Sequence, residues 1–313
     1  MSSIRAIVVD PEVPGRLAIK EVEAPQAGLS EALVQVEATS LNRGEVLGAM
    51  HFEAGWRPGW DLAGTVIKQA ANGTGPKVGS RVVGQVDAGA WAEQVAVPTN
   101  RLAEIPASVT FAQAATLPIA GLTALRALEK GGLLLHKRVL ITGSTGGVGL
   151  FAHQLARLSG AYVVGTARHA RNEALVREAG ADEVIVGDDL EPARAYGPYD
   201  LIIDSVGGKT LESALSLLAP GATCVMLGWS ASPEAKATID LRNLIVTGGT
   251  TLTTLDGREF HSHARYLARL AQMVAEQQLR TSIAVEASWH DIGEVAQRLL
   301  QRQFTGKAVL HLA

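Results

Sequence analysis

One cysteine, Cys224, stands in 313 residues. That scarcity excludes an intramolecular disulfide and a cysteine-rich zinc site. Its neighbours, Ala222 to Leu227, read as a buried strand in which a thiol is a small apolar side chain. Aromatic residues make up only 4%, the net charge is −3 and no basic stripe is present. Nucleic acid is therefore not expected as the main partner. No apolar run reaches the roughly 18 residues of a membrane span, so no membrane partner is expected. The opening Met1 to Asp10 reads as a strand bounded by charge rather than a signal peptide, and the expected location is the cytoplasm. Among eight histidines only His261 and His263 stand close together. No third ligand accompanies them and structural zinc wants four, so no metal is expected.

What is present is core material, 47% hydrophobic, in a length that suggests two domains. From Ile4 to about Val97 short alternating runs (Ala32 to Ala38, Leu62 to Ile67, Ser80 to Val86, Trp91 to Val97) are separated by Gly, Pro and Asn turns. They predict a compact, barrel-like β domain. Thr110 and Gln113 are spaced as a capping box. Pro118 interrupts the helix they open, and a second helix runs from Leu122 to Lys130, ended by Gly131 and Gly132. The rhythm then becomes βαβα, with strands expected at 139–142, 162–167, 183–186, 201–205, 223–228 and 244–248. Such alternation predicts α/β class with a doubly wound parallel sheet. Two amphipathic helices follow, around Tyr266 to Val274 and Ile292 to Leu300. The strand-like ending, Ala308 to Leu312, is suited to returning to the first domain.

The sharpest signal is Arg138 to Gly149. An apolar strand ends in Ser144, Thr145, Gly146, Gly147, Val148 and Gly149, and a helical pattern follows at once. In that context the glycines mean dinucleotide binding. Gly146 lets backbone approach a pyrophosphate, Gly149 lets the helix pack on the strand, and the helix start offers free N–H groups to the phosphates. Ser144 fills the place of the usual first glycine. NAD-selective enzymes carry an acidic residue about 20 positions on. Here Arg168 stands 19 residues beyond Gly149, with His169 and Arg171 beside it and no carboxylate before Glu173. A guanidinium pairs with a 2′-phosphate that a carboxylate would repel, so the expected cofactor is NADPH. The alternative is that Arg168 and Arg171 are solvated charges opening the next helix.

In order and spacing the chain resembles the medium-chain dehydrogenase/reductase superfamily, and within it the zinc-independent quinone oxidoreductases. The segments that carry the resemblance are Ser40 to Glu45, Pro58 to Gly64, Gly89 to Glu93, Leu117 to Ala124, the glycine loop, and Thr305 to Leu310. The resemblance implies a GroES-like substrate domain, residues 1–120 and 256–313, and a Rossmann NADPH-binding domain, residues 121–255. Zinc members of the superfamily use a cysteine near Asn42 and a His-Glu pair near Trp60 and Asp61. Without those ligands, hydride transfer to a quinone or an α,β-unsaturated carbonyl compound is the expected reaction, because the product charge spreads over a π-system that a few donors can stabilise.

The resemblance places Asn42 in the interdomain cleft as a polar group near nicotinamide and substrate; the alternative is a turn cap. Asp61 orders the cleft or binds neighbouring backbone, and His51 is of a residue type suited to proton transfer. No tyrosine lies between Asn42 and Asp61, which leaves the proton donor open, solvent included. Thr123 sits near the nicotinamide or caps a helix. Ser205 belongs near the adenosine ribose or to a plain turn. Gly228, Trp229 and Ser230 end a strand on the ligand side, and Thr250 and Thr251 close beside the nicotinamide. Residues 241–248, taken as an edge strand, predict a homodimer. Two further readings remain: an enoyl-thioester reductase, and a non-catalytic NADPH-binding sensor or adaptor.

Overall fold

The computed structural model describes residues 2–230, 236–255 and 263–312. The chain divides into two compact units, Met1–Leu122 with Phe260–Ala313, and Thr123–Glu259.

The first unit opens with an antiparallel pair, β1 (Ser3–Val9) and β2 (Leu17–Glu23). Next come β3 (Glu31–Leu41), helix α1 (Arg43–Ala49), β4 (Asp61–Lys68), β5 (Arg81–Gln85), β6 (Gln94–Pro98), β7 (Leu102–Glu104) and helix α2 (Phe111–Ala115). Strand β3 shows why the alternating runs fold as they do. Ala32, Val34, Val36 and Ala38 are buried, while the residues between them are only half covered, the period-two pattern of a strand with one face on the core. The Thr110–Gln113 capping box forms as its spacing predicts. Pro118 interrupts the helix by widening it: Leu117–Gly121 is a π-turn that runs without a break into α3 (Leu122–Glu129).

The second unit contains β8 (Arg138–Ile141), α4 (Gly147–Leu158), β9 (Tyr162–Ala167), α5 (Glu173–Glu178), β10 (Glu183–Val186), β11 (Tyr199–Asp204), α6 (Gly208–Leu215), β12 (Leu218–Met226), α7 (Leu241–Thr247) and β13 (Thr251–Thr254). The strands run parallel in the order β10-β9-β8-β11-β12-β13. This is the doubly wound order 3-2-1-4-5-6 of the Rossmann fold, whose ligands bind outside the carboxyl ends of the strands where the order reverses, here between β8 and β11.

One expectation fails. Residues 244–248 are not a strand and 241–248 are not a sheet edge, because Leu241–Thr247 is helix α7. The apolar β-branched run pointed to a strand, but local capping decided otherwise. The Asp240 carboxylate accepts a hydrogen bond from the Arg242 N–H, and Gly248 and Gly249, both at positive φ, end the helix. The edge strand is β13 instead.

The chain then returns to the first unit with α8 (His263–Ala275), β14 (Ile283–Ser288), α9 (Ile292–Leu300) and β15 (Lys307–His311). The last strand pairs antiparallel with β3, Ala308 opposite Leu41. The first unit's main sheet thus has the order β14-β15-β3-β4-β5-β7, with β6 also on β3. Trp91, Trp289, Leu41 and Leu62 are fully buried in its core.

Candidate functional site

At the carboxyl end of β8 the glycine loop is held from below. Ser144, fully buried, donates to the Ile141 carbonyl (2.7 Å) and accepts from the Thr166 N–H (2.8 Å). The serine that departs from the glycine fingerprint therefore ties the ends of β8 and β9 together. A Cβ on Gly149 would lie 2.6 Å from Ser144 Cα and 2.7 Å from the Gly143 carbonyl oxygen, so glycine is required for α4 to start this close to the loop. Gly146, the residue before α4, is different: a Cβ there would meet only the Gly143 oxygen, at 3.4 Å. No side chain caps the amino end of this twelve-residue helix. The first-turn N–H groups and the space above Gly146 together make a cradle for an anion.

The neighbouring strand ends gather at the same edge. Asp204, buried with its pKa raised by desolvation, accepts hydrogen bonds from the Thr142 hydroxyl and the Gly207 N–H. Ser205 donates to the Thr142 carbonyl at 3.2 Å, and Ser230 donates to the Ser205 carbonyl at 3.0 Å. Ser205, Gly228, Trp229 and Ser230 thus lie at the carboxyl ends of β11 and β12, with Trp229 exposed. Thr250 and Thr251 do not join them. Thr251 begins β13, paired with Thr223 in the parallel register, which puts both threonines toward the opposite edge of the sheet. The residue of β13 level with Met226, at the ligand edge, is Thr254. Thr123 lies inside the continuous helical run of the π-turn and α3, so it does not cap a helix start.

Arg168 follows the last residue of β9 and is exposed, as is Arg171. The Arg168 Nε donates to Asp188 Oδ1 at 3.1 Å. Asp188 was invisible to spacing arguments because it arrives from the next strand. A second residue missed in sequence is His153 of α4, fully buried with neither ring nitrogen hydrogen-bonded. Its imidazole fills the space left by Gly165 of β9, where a Cβ would lie 2.7 Å from the ring. Burial drives its pKa down to about 3.

In the first unit a buried polar network surrounds Asp61. Its Oδ2 accepts from the Ser40 hydroxyl (2.6 Å) and Asn42 Nδ2 (2.7 Å), and its Oδ1 from the Ile119 N–H of the π-turn (2.9 Å). Lys307, 3% exposed, donates to Asn42 Oδ1 (2.6 Å) and the Leu41 carbonyl (2.9 Å), with Asp61 Oδ2 at 3.5 Å. Glu45 Oε1 accepts from both the backbone N–H and Nδ2 of Asn42. Burial, followed by the nearby Asp61 charge, pushes the Glu45 pKa well above the usual carboxylate range. Both hydrogens of the Asn42 amide are therefore engaged within the network. This geometry favours the capping role of Asn42 over donation to a substrate, and Asp61 binds neighbouring backbone and side chains. His51 is exposed in the turn beyond α1; the seven residues of that helix, about 10 Å of rise, separate it from Asn42. Lys307 lies within the segment Thr305 to Leu310, yet its partner 246 residues away becomes visible only through the β15–β3 register.

Residues 28–107 match the family described as the alcohol dehydrogenase GroES-like domain, and residues 147–273 that of the zinc-binding dehydrogenases. A chloroplastic quinone-oxidoreductase of Triphysaria versicolor is 31% identical, with 98% of each chain covered. The chain belongs to the medium-chain dehydrogenase/reductase superfamily. Within it this chain is quinone oxidoreductase-like. A mycobacterial protein solved in complex with NADPH is 27% identical, with a TM-score of 0.87 over 99% of this chain and 100% of that one. The quinone oxidoreductase from Coxiella burnetii shares the fold at 24% identity, with a TM-score of 0.86 over 100% of both chains. A phenolphthiocerol/phthiocerol polyketide synthase of Mycobacterium tuberculosis is 29% identical over 99% of this chain, which spans 15% of that protein. This superfamily member is thus an oxidoreductase of the NAD(P) class.

The anion cradle at Gly146 and the uncapped start of α4 suit the pyrophosphate of such a cofactor. Zinc, which the second family description implies, fits poorly. Among the described residues no three His, Cys, Asp or Glu side chains converge on a point, and His261 and Ser262 lie outside those residues. In the segments where zinc members place ligands, the carboxylate of Asp61 is already satisfied by four donors, one of them an ammonium. No helix among the described residues is long and apolar enough to cross a membrane.

Proposed function

We propose that this oxidoreductase is an NADPH-dependent, zinc-independent reductase that delivers hydride to quinones or α,β-unsaturated carbonyl compounds. The observation that carries this reading is the closed network around Asp61. Carboxylate, amide and ammonium satisfy one another, so the segment offers structural support in place of a Lewis-acid ligand set. An acceptor whose negative charge is delocalised suits such a site. The NADPH half is supported by Arg168, an exposed guanidinium directly after β9, a group suited to pairing with a 2′-phosphate. When bound, NADPH supplies the hydride. The chain's own residues hold its pyrophosphate at Gly146 to Gly149 and its ribose edge near Ser205 and Arg168. The GroES-like domain, residues 1–120 and 256–313, takes the substrate; the Rossmann domain, residues 121–255, takes the cofactor.

Purified protein should oxidise NADPH with members of a panel of quinones and small enones, and added metal chelator should leave the rate unchanged. Tight NADPH binding with no turnover of any acceptor would support a sensor or adaptor and sink the enzymatic reading. Arg168→Asp should raise KM for NADPH at least about tenfold while leaving NADH within about twofold, the loss of a charge-assisted bidentate contact. Equal changes for both cofactors would remove Arg168 from the site. The polyketide synthase likeness favours a second reading, an enoyl thioester as acceptor, so an acyl thioester with a conjugated double bond belongs in the panel.

We infer that the protein forms a homodimer through β13. Among the described residues this strand is a sheet edge with open backbone groups, and Leu241, Ile245, Val246 and Leu252 on and beside it are exposed. Sedimentation velocity should give twice the chain mass, and Leu252→Lys should yield monomer. A monomeric parent protein at micromolar concentration refutes the dimer.

A further inference from the structure

We propose, building on the reading of the second unit as an NADPH site, that Asp188 is a specificity-determining residue that opposes Arg168 and lets one pocket accept both NADPH and NADH. The juxtaposition is fixed by the sheet. β9 and β10 run parallel with Val186 beside Ala167, so both chains leave at the same carboxyl edge. Gly187, at φ +113, donates its N–H to the Ala167 carbonyl and turns the chain back over β9. Asp188 then meets Arg168.

The contact is one-sided. A guanidinium has two forked edges, one formed by Nε with an Nη and one by the two Nη groups. Asp188 Oδ1 takes Nε at 3.1 Å, and among the described residues the Nη groups donate to nothing. The free end-on edge is the one that grips a phosphate in bidentate fashion. A 2′-phosphate seated there lies across the width of the guanidinium from a carboxylate and is repelled by it. A ribose 2′-hydroxyl carries no charge and needs an acceptor. Asp188 Oδ2, unpartnered among the described residues on a side chain 80% exposed, can supply one. The pair therefore holds both halves of cofactor discrimination: the cation from the end of β9, and the acidic residue that the sequence lacks at that position supplied from β10.

The test is a double-mutant cycle of Asp188→Asn and Arg168→Gln, reading Kd for NADPH and for NADH by fluorescence titration, which needs no acceptor. With Arg168 in place, D188N should tighten NADPH about two- to fivefold, the size of one exposed charge interaction, and weaken NADH by a similar factor. The NADPH gain should shrink in about 0.5 M salt and fall in the R168Q background, where no guanidinium seats the phosphate beside the carboxylate. Unchanged selectivity, or a shift toward NADH, overturns the role of Asp188. If R168Q alone leaves both affinities unchanged, the NADPH reading itself fails. If R168Q weakens NADPH while D188N is silent, only the Asp188 proposal falls.

Discussion

Lys307→Met should destabilise the first unit by about 3–5 kcal/mol, the usual penalty for removing one partner of a buried ion pair. The ammonium is 3% exposed and satisfied by Leu41, Asn42 and Asp61. Without it the Asp61 carboxylate, fully buried, keeps three hydrogen bonds but loses the one cation that it meets among the described residues. The Asn42 amide also loses the donor that fixes which way round it sits. The effect should spread to α1, which Asn42 caps, and to the π-turn, whose Ile119 N–H depends on Asp61. Urea denaturation followed by tryptophan fluorescence is the suitable measurement, because four of the five tryptophans lie in the first unit. Adding Asp61→Asn should recover part of the loss, with a coupling energy of about 2 kcal/mol or more. A Lys307→Met loss below about 1 kcal/mol, or strict additivity in the double variant, would show that the network is only loosely coupled.

His153 makes stability depend on pH. In the folded protein its pKa is lowered to about 3, against 6.5 for the exposed imidazole. Between those values the unfolded chain binds a proton that the native state refuses, so stability rises with pH across the window. It is fully present above about 6.5 and is lost as the pH falls toward 3. The slope from this one group is about 1.4 kcal/mol per pH unit, or roughly 3 kcal/mol between about pH 6.5 and 4.5. His153→Leu, of similar volume and without a polar atom to bury, should remove that slope. The difference in unfolding free energy between variant and parent should therefore grow in the variant's favour as the pH is lowered. A constant difference between about pH 7 and 4.5 would mean that His153 becomes protonated in the folded state. The elements that enclose the imidazole, α4 and β9, also shape the glycine loop.

Local chemistry was legible in the chain wherever a few consecutive residues decided the outcome. The Thr110–Gln113 box, the strand 162–167, the close packing demanded by Gly149 and the βαβ rhythm all follow from propensity, capping and period. The one local misreading, α7, arose because a β-branched run and an aspartate cap compete over the same residues, and the cap with its two terminating glycines won. A related error placed Thr250 and Thr251 at the ligand edge. Chain order identified the segment, but only the parallel register with β12 shows which end of the strand faces the cofactor side.

By itself, then, the sequence determined the fold class, the glycine loop, the guanidinium after β9 and the residue types, Asn42, Trp60 and Asp61, that stand where zinc members carry ligands, because each is a property of residue type and short spacing. The tertiary structure alone decided how the charged groups are used. Asp61 and Lys307 lie 246 residues apart and become partners only when β15 pairs with β3. Asp188 reaches Arg168 only because β10 lies beside β9, and His153 resists protonation because α4 buries it against the gap at Gly165. Charge acquires its meaning from desolvation and from partners, and both are set by what long-range packing brings together.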